Sequence, residues 1–182
     1  MKNLLLLLMV LVSTTTVNAQ KKINWMSIND ALAAQAQNPK YIFIDMYTPW
    51  CGPCKLLDRN TFTNKDVIEY FNTHYYAVKF NAEGIEPVRY MDQPFGNPSY
   101  DPAKSTRRNS QHQFAKHLGV KAYPTLAFLN MKGQLLTNVQ GYQTAQQLEL
   151  YLKLFVTEVY LDFKSQNDFS TYITNFKPAF VE

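Results

Sequence analysis

The spacing of apolar positions changes several times along this chain, and each change predicts an element. Residues 41–47 read Tyr-Ile-Phe-Ile-Asp-Met-Tyr. They are apolar on both faces apart from Asp45, as in a central strand covered from both sides. Before them, 23–26 reads as a short edge strand. Ser27-Ile28-Asn29-Asp30 opens a helix over 28–37, with Asp30 favourable in its first turn, and Asn38-Pro39 stops it. After the central strand a helix begins near Cys51 and runs to about Arg59. Thr63 is placed to cap the next helix, whose apolar face is Val67, Ile68 and Phe71. A strand over 75–81 follows. A helix over 111–118 ends at Gly119, and strands 125–129 and 134–139 form a hairpin across Asn130-Met131-Lys132-Gly133. Thr144 caps a last long helix bearing Leu148, Tyr151, Leu152 and Phe155 on one face. The order β-α-β-α-β-α-β-β-α predicts the α/β class, a mixed sheet sandwiched between helices.

Two stretches lack such a period. Residues 83–109 are rich in proline and carry Tyr90, Tyr100 and the pair Arg107-Arg108. A loop that long is either a surface excursion or a lid that touches a partner. Residues 156–182 carry Tyr160, Phe163, Phe169, Tyr172, Phe176 and Phe180. That many aromatics predict an extension docked on the domain in preference to a free, partner-binding arm.

Residues 1–19 have the form of an export signal. Lys2 precedes an apolar core at 4–12, and Val17-Asn18-Ala19 predicts a cut after Ala19. The core is too short to span a bilayer. The expectation is an exported or periplasmic chain, not integral to the membrane once cut. What remains suits one domain over 20–155, with 83–109 as an insertion and 156–182 as an extension. A hydrophobic content of 46%, with 12 Tyr and 12 Phe, supplies a core. The formal charge of +4 is too weak to suggest a nucleic-acid partner.

Only two cysteines occur, and they stand in Trp50-Cys51-Gly52-Pro53-Cys54. A cysteine at a helix start faces unpaired N–H groups and the positive end of the helix dipole. Both favour the thiolate, the reactive form. Cys54 lies one turn along, within reach of a disulfide with Cys51. The pattern supports a reversible dithiol–disulfide couple. Two plainer readings stand beside it. One is half of a zinc site, but four ligands are wanted, and His74, His112 and His117 lack the spacing; these histidines read as surface or helix-face residues. The other is a structural bridge, which removes little entropy across so short a loop. Asp45, six residues before Cys51, is either a buried carboxylate with a task or a strand-end residue turned to solvent.

On these residues the chain resembles the thioredoxin superfamily. The W-C-G-P-C motif is unaltered at 50–54, and Asp45 matches the family's buried proton-transfer acid. Val78-Lys79-Phe80-Asn81 matches its V-K-x-N strand, Tyr123-Pro124-Thr125 its cis-proline loop, and Gly141 the glycine after its last strand. A narrower similarity joins 45–67, with Thr61-Phe62 and Val67, to exported thioredoxin-like proteins. It extends to the periplasmic C-terminal domain of the transmembrane thiol:disulfide interchange reductase.

The resemblance implies a thioredoxin fold and a thiol–disulfide exchanger with no metal or cofactor. Cys51 would attack, Cys54 would resolve, Asp45 would take a proton and Lys79 would tune it. Trp50, Gly52, Pro53, Tyr123, Pro124 and Gly141 would line the client site. Partners would be disulfide-bearing exported proteins and a membrane thiol–disulfide electron donor. Gly52-Pro53 is the thioredoxin dipeptide, and thioredoxin is a reducing couple at about −270 mV. Tyr123 departs from the aliphatic residue usual before the proline. Reduction is therefore the leading expectation, with oxidation or isomerisation, or a non-catalytic binding module, as alternatives.

Overall fold

In the computed structural model, which describes residues 22–181, the apolar strand lies at the centre. The segment 1–19, read above as an export signal, falls outside the described residues. The elements run β1 (Trp25–Met26), α1 (Ile28–Gln37), β2 (Tyr41–Tyr47), α2 (Gly52–Leu56), α3 (Lys65–His74), β3 (Tyr75–Asn81), β4 (Val88–Tyr90), β5 (Gln93–Phe95), α4 (Gln113–His117), β6 (Thr125–Leu129), β7 (Leu135–Gln140), α5 (Ala145–Val156) and α6 (Gln166–Asn175). The main sheet has the order β1-β3-β2-β6-β7. Strands β1, β3 and β2 are parallel, and β6 and β7 continue antiparallel. This is the mixed sheet between helices that the hydrophobic pattern predicts. Among the described residues no helix is long and apolar enough to cross a membrane.

Alternation along β2 divides the core. Ile42, Ile44 and Met46 pack with Ile28, Val78, Phe80 and Phe114, under α1 and α4. Phe43 packs on the other face with Phe71, Phe128, Leu152 and Phe155, under α3 and α5. Asp45 points to this second face and is fully buried, so it is not a strand-end residue turned to solvent. It sits opposite Lys79 in the β2–β3 register.

Several element ends differ from expectation for local reasons. Helix α2 is followed by a wider, π-helical turn over Leu57–Thr61. That turn brings both Thr61 and Phe62 inward, and the Thr61 hydroxyl donates to the Gln143 carbonyl at 2.6 Å. The extra residue shifts the next cap by one. Asn64, not Thr63, accepts from the N–H groups of Asp66 and Val67, and asparagine is the stronger cap. Thr63 donates back to Arg59 O instead. Helix α4 starts at Gln113 because the ring of His112 caps it, Nδ1 accepting from Phe114 N at 3.0 Å. His112 is fully buried, which corrects its reading as a surface or helix-face residue.

Residues 83–109 are not a structureless loop. They hold the β4–β5 hairpin, turned at Met91-Asp92, both at positive φ, the conformation that suits a tight hairpin between twisted strands. Three residues per strand are too few to display a period in the sequence. Val88 and Tyr90 are buried, and the Tyr90 hydroxyl donates to Gly133 O at 2.8 Å. Asn29 of α1 holds both Pro87 O and Arg89 N.

The last residues return to the core through a charge. Glu149 of α5 is fully buried, and its carboxylate accepts from the N–H groups of Ala179 and Phe180 and from Lys153. Asp66 accepts from Val181 N, and Asn64 donates to Val181 O. These bonds seat Phe180, 9% exposed, edge-on against Tyr70. Truncating a buried phenylalanine costs about 3–5 kcal/mol at full burial. Phe180→Ala, at the margin of the core, is expected to lose about 2–3 kcal/mol in urea unfolding. A loss under about 0.5 kcal/mol, the level of an ordinary surface change, would show that the tail does not belong to the cooperative unit.

Candidate active site

The central strand ends at Tyr47, and Thr48 O then accepts from Cys51 N at 3.1 Å, folding the chain back into α2. Cys51 occupies the cap position of that helix, and its sulfur accepts from Cys54 N at 3.1 Å. Pro53 within the first turn supplies a helical φ and lacks an N–H that would go unpaired there. Cys51 and Cys54 are joined in a disulfide, and both are 2% exposed. Gly52 and Pro53 between them are exposed.

The strand that leads into the motif carries an ion pair to its neighbour β3. Asp45 Oδ2 meets Lys79 Nζ at 3.0 Å, while Asp45 Oδ1 is buried without a hydrogen-bond partner. Burial pushes the carboxyl up to about 6, with Lys79 pulling in the opposite direction. Burial also works against the Lys79 ammonium, but Asp45 and Asp58 outweigh it and hold its pKa above the ordinary lysine value. Asp58 ion-pairs with the same ammonium. The rings of Trp25, Tyr47 and Phe62 stand 5.0–5.4 Å from Lys79 Nζ, within the range of cation–π attraction.

Two further loops meet the motif. The Tyr123–Pro124 peptide is cis. Pro124 is buried, and its carbonyl accepts from Gly141 N at 2.8 Å. Gly141 has φ +88°, a conformation costly for any side chain with a Cβ. Tyr123 is half-buried, and burial with the nearby Glu83 pushes its hydroxyl up to about 12. Its ring meets Trp50 edge-on at 5.9 Å. The Trp50 indole donates to Glu83 Oε2 at 2.7 Å, and Arg108 stands over its face at 4.9 Å.

The structure thus brings Cys51, Cys54, Trp50, Gly52 and Pro53 together on one loop and helix turn. It pairs Asp45 with Lys79, and sets Tyr123 against Trp50 and Gly141 against Pro124. Sequence reasoning missed Asp58 and Glu83 and left Arg108 without a task. Asp58 carried a signal, since it stands four residues beyond Cys54 on the same helical face. Glu83 and Arg108 carried none, because only the folded path of 83–109 brings them to Trp50.

Comparisons with known proteins agree with this geometry. The family model for the thioredoxin-like domain matches residues 28–155. The thiol:disulfide interchange protein DsbD of Pectobacterium atrosepticum is 23% identical over 144 residues, 78% of this chain and 20% of that protein. DsbD of Haemophilus ducreyi is 28% identical over 119 residues, 64% of this chain and 17% of that protein. The chain therefore spans about a fifth of the length of these curated relatives. Among solved structures, a proposed disulphide-isomerase from Bacteroides thetaiotaomicron is 30% identical, with a TM-score of 0.53 over 75% of this chain and 94% of that one. A thioredoxin-fold protein from Helicobacter pylori reaches a TM-score of 0.59 at 18% identity over 75% of this chain and 84% of that one. The fold is the thioredoxin fold.

The raised pKa of Asp45 has a consequence for stability. Between the ordinary value of 3.8 and about 6 the folded chain holds a proton that the unfolded chain releases. Stability therefore falls as pH rises through that window, by about 3 kcal/mol if the whole shift is expressed. Asp45→Asn is expected to stabilise the oxidised protein by about 2 kcal/mol at pH 7.5, with the gain shrinking to nothing near pH 4. Urea unfolding at both pH values checks this. Equal stabilities at pH 7.5 would mean that the carboxylate is not appreciably desolvated.

Proposed function

The chain belongs to the thioredoxin-like family, and from that premise we propose that it is an exported thiol–disulfide oxidoreductase that reduces disulfides in exported proteins. The observation that carries the proposal is the Cys51–Cys54 pair at a helix start, in a chain whose central strand, leading into that motif, holds a buried carboxylate with one unpaired oxygen. Two cysteines serving only as a staple would have no use for that carboxylate.

In the reduced protein, Cys51 is the attacking thiolate, favoured by the N–H of Cys54 and the start of α2. It attacks one sulfur of a client disulfide, forming a mixed disulfide and expelling the other client sulfur as a thiolate. Cys54 then attacks the Cys51 sulfur. The mixed disulfide breaks, the second client thiolate leaves, and the Cys51–Cys54 disulfide remains. Two electrons pass to the client. The Cys54 thiol must lose a proton for this step, and Asp45 accepts it, directly or through water. With its pKa near 6, Asp45 is largely ionised at neutral pH yet basic enough to take part. Lys79 holds the carboxylate in place and sets that value.

An extended client segment pairs with the backbone at Tyr123, beside Pro124, in the manner of strand addition. Trp50, Gly52 and Pro53 form the opposite wall, and Gly141 supports Pro124. The next turnover needs a dithiol donor. The likeness to DsbD supports a membrane thiol–disulfide protein in that role, and the reading of 1–19 supports export. The Bacteroides protein described as a proposed disulphide-isomerase favours isomerisation on the same site as a second reading.

Two measurements test the proposal. Cys54→Ser is expected to accumulate a mixed disulfide with client through Cys51, whereas Cys51→Ser accumulates none; equal trapping by both would reverse the roles. The reduction potential of the couple against glutathione is expected near about −270 mV. A value near about −120 mV, the strong-oxidant end of the series, would replace reduction by disulfide formation or isomerisation.

A further inference from the structure

The insertion delivers a cation to the tryptophan of the motif. The Arg108 guanidinium lies 4.9 Å from the Trp50 ring centre, and Tyr123 meets that ring from another side. Trp50 precedes Cys51 and Tyr123 precedes Pro124, so the cluster joins the two loops of the proposed exchange site. Glu83, 6% exposed, fixes it. Its Oε2 accepts from the Trp50 indole at 2.7 Å and from Asn109 N at 2.8 Å. One carboxylate therefore holds both the ring and the residue following Arg108.

Arg108 is exposed, and among the described residues no carboxylate lies within ion-pair distance of it or of Arg107. Glu83 is already committed to Trp50 and Asn109. The neighbouring loops add positive charge: Lys55 follows Cys54, Lys121 lies two residues before Tyr123, and both are exposed, while Asp101, bonded through its backbone to Asn109, is paired with Lys104. Stacking on an indole leaves the edge of a guanidinium free. That edge presents donors in a planar fork matching a carboxylate. The arginine is already ordered by the ring, so less entropy is lost when a carboxylate binds.

We propose that this cluster is a client-selecting surface, and that its preferred occupant is a peptide segment with aspartate or glutamate beside the cysteine attacked by Cys51. The carboxylate pairs with Arg108 while the apolar part of the segment lies on Trp50 and Tyr123. Lys55, Lys121 and Arg107 add a field that favours approach of acidic segments. The proposal rests on the exchange reading given above.

The test uses two disulfide peptides that differ only in Glu or Lys beside the cysteine, each reduced by the reduced wild-type protein. The ratio of their kcat/KM values is expected to favour Glu by roughly three- to tenfold at low salt. Arg108→Gln brings the ratio below about twofold, Arg108→Lys retains part of it, and Lys132→Gln, an equal charge loss on the distant β6–β7 turn, leaves it intact. A ratio near one in the wild type, or one unchanged in Arg108→Gln, overturns the proposal.

A second arm separates the surface from the chemistry. Protein carrying Cys51→Ser and Cys54→Ser is titrated with the same peptides bearing serine for cysteine, followed by tryptophan fluorescence. Tighter binding of the Glu peptide, lost in Arg108→Gln, supports the surface even if no peptide is ever reduced, and then the exchange reading falls alone. Reduction of both peptides with equal binding and equal rates removes the surface and leaves the exchange reading standing.

Discussion

A carboxylate buried in the central strand is the constraint to which the rest of this molecule is fitted. Asp45 is covered by the sheet and by the aromatic layer under α3 and α5. An ion there costs several kcal/mol unless it is paired or protonated. The fold meets the cost only in part. Lys79 arrives in register on β3 and binds one oxygen, and the other oxygen has no partner. The result is a group held near pH 6, between the charged and neutral forms. Lys79 in turn needs Asp58 and three aromatic rings, so the π-helical turn after α2 and the edge strand β1 both serve the same ion pair.

The two other buried carboxylates among the described residues behave differently. Glu83 and Glu149 each accept from two or more donors, chiefly backbone N–H groups. They act as clamps. Glu83 closes the insertion onto Trp50, and Glu149 closes the C-terminal segment onto α5. Burial alone therefore does not set these groups apart. What Asp45 has and the two clamps lack is a buried oxygen with no hydrogen-bond partner, a feature it shares with half-buried Glu86.

The clamps also change what the additions to the thioredoxin fold are. The insertion shares a hydrogen-bonded carboxylate with the motif, so its position and that of Trp50 are coupled. The C-terminal segment is stitched to Asn64 and Asp66 at the start of α3. That helix packs on the same face of the sheet as Asp45. Both additions are thus hydrogen-bonded to the main domain.

The sequence by itself determined the main sheet and its helices, because β2 is apolar on both faces and the amphipathic helices display a clear period. The Cys51–Cys54 pair was legible from its spacing and Asp45 as a carboxylate in an apolar strand, whereas Lys79 and the Tyr123-Pro124 loop were legible through the family resemblance. The tertiary structure alone decided the rest. The β4–β5 hairpin is too short to show alternation, and its stability comes from Asn29 and Gly133 far along the chain. His112 became a buried cap because Glu86 O, 26 residues away, receives its other ring nitrogen. Glu83, Glu149 and Arg108 drew no role from the sequence, since their partners lie across turns whose geometry no local pattern specifies. Local periodicity records what a residue does within its own element; which distant donor meets a carboxylate is settled only when the elements pack.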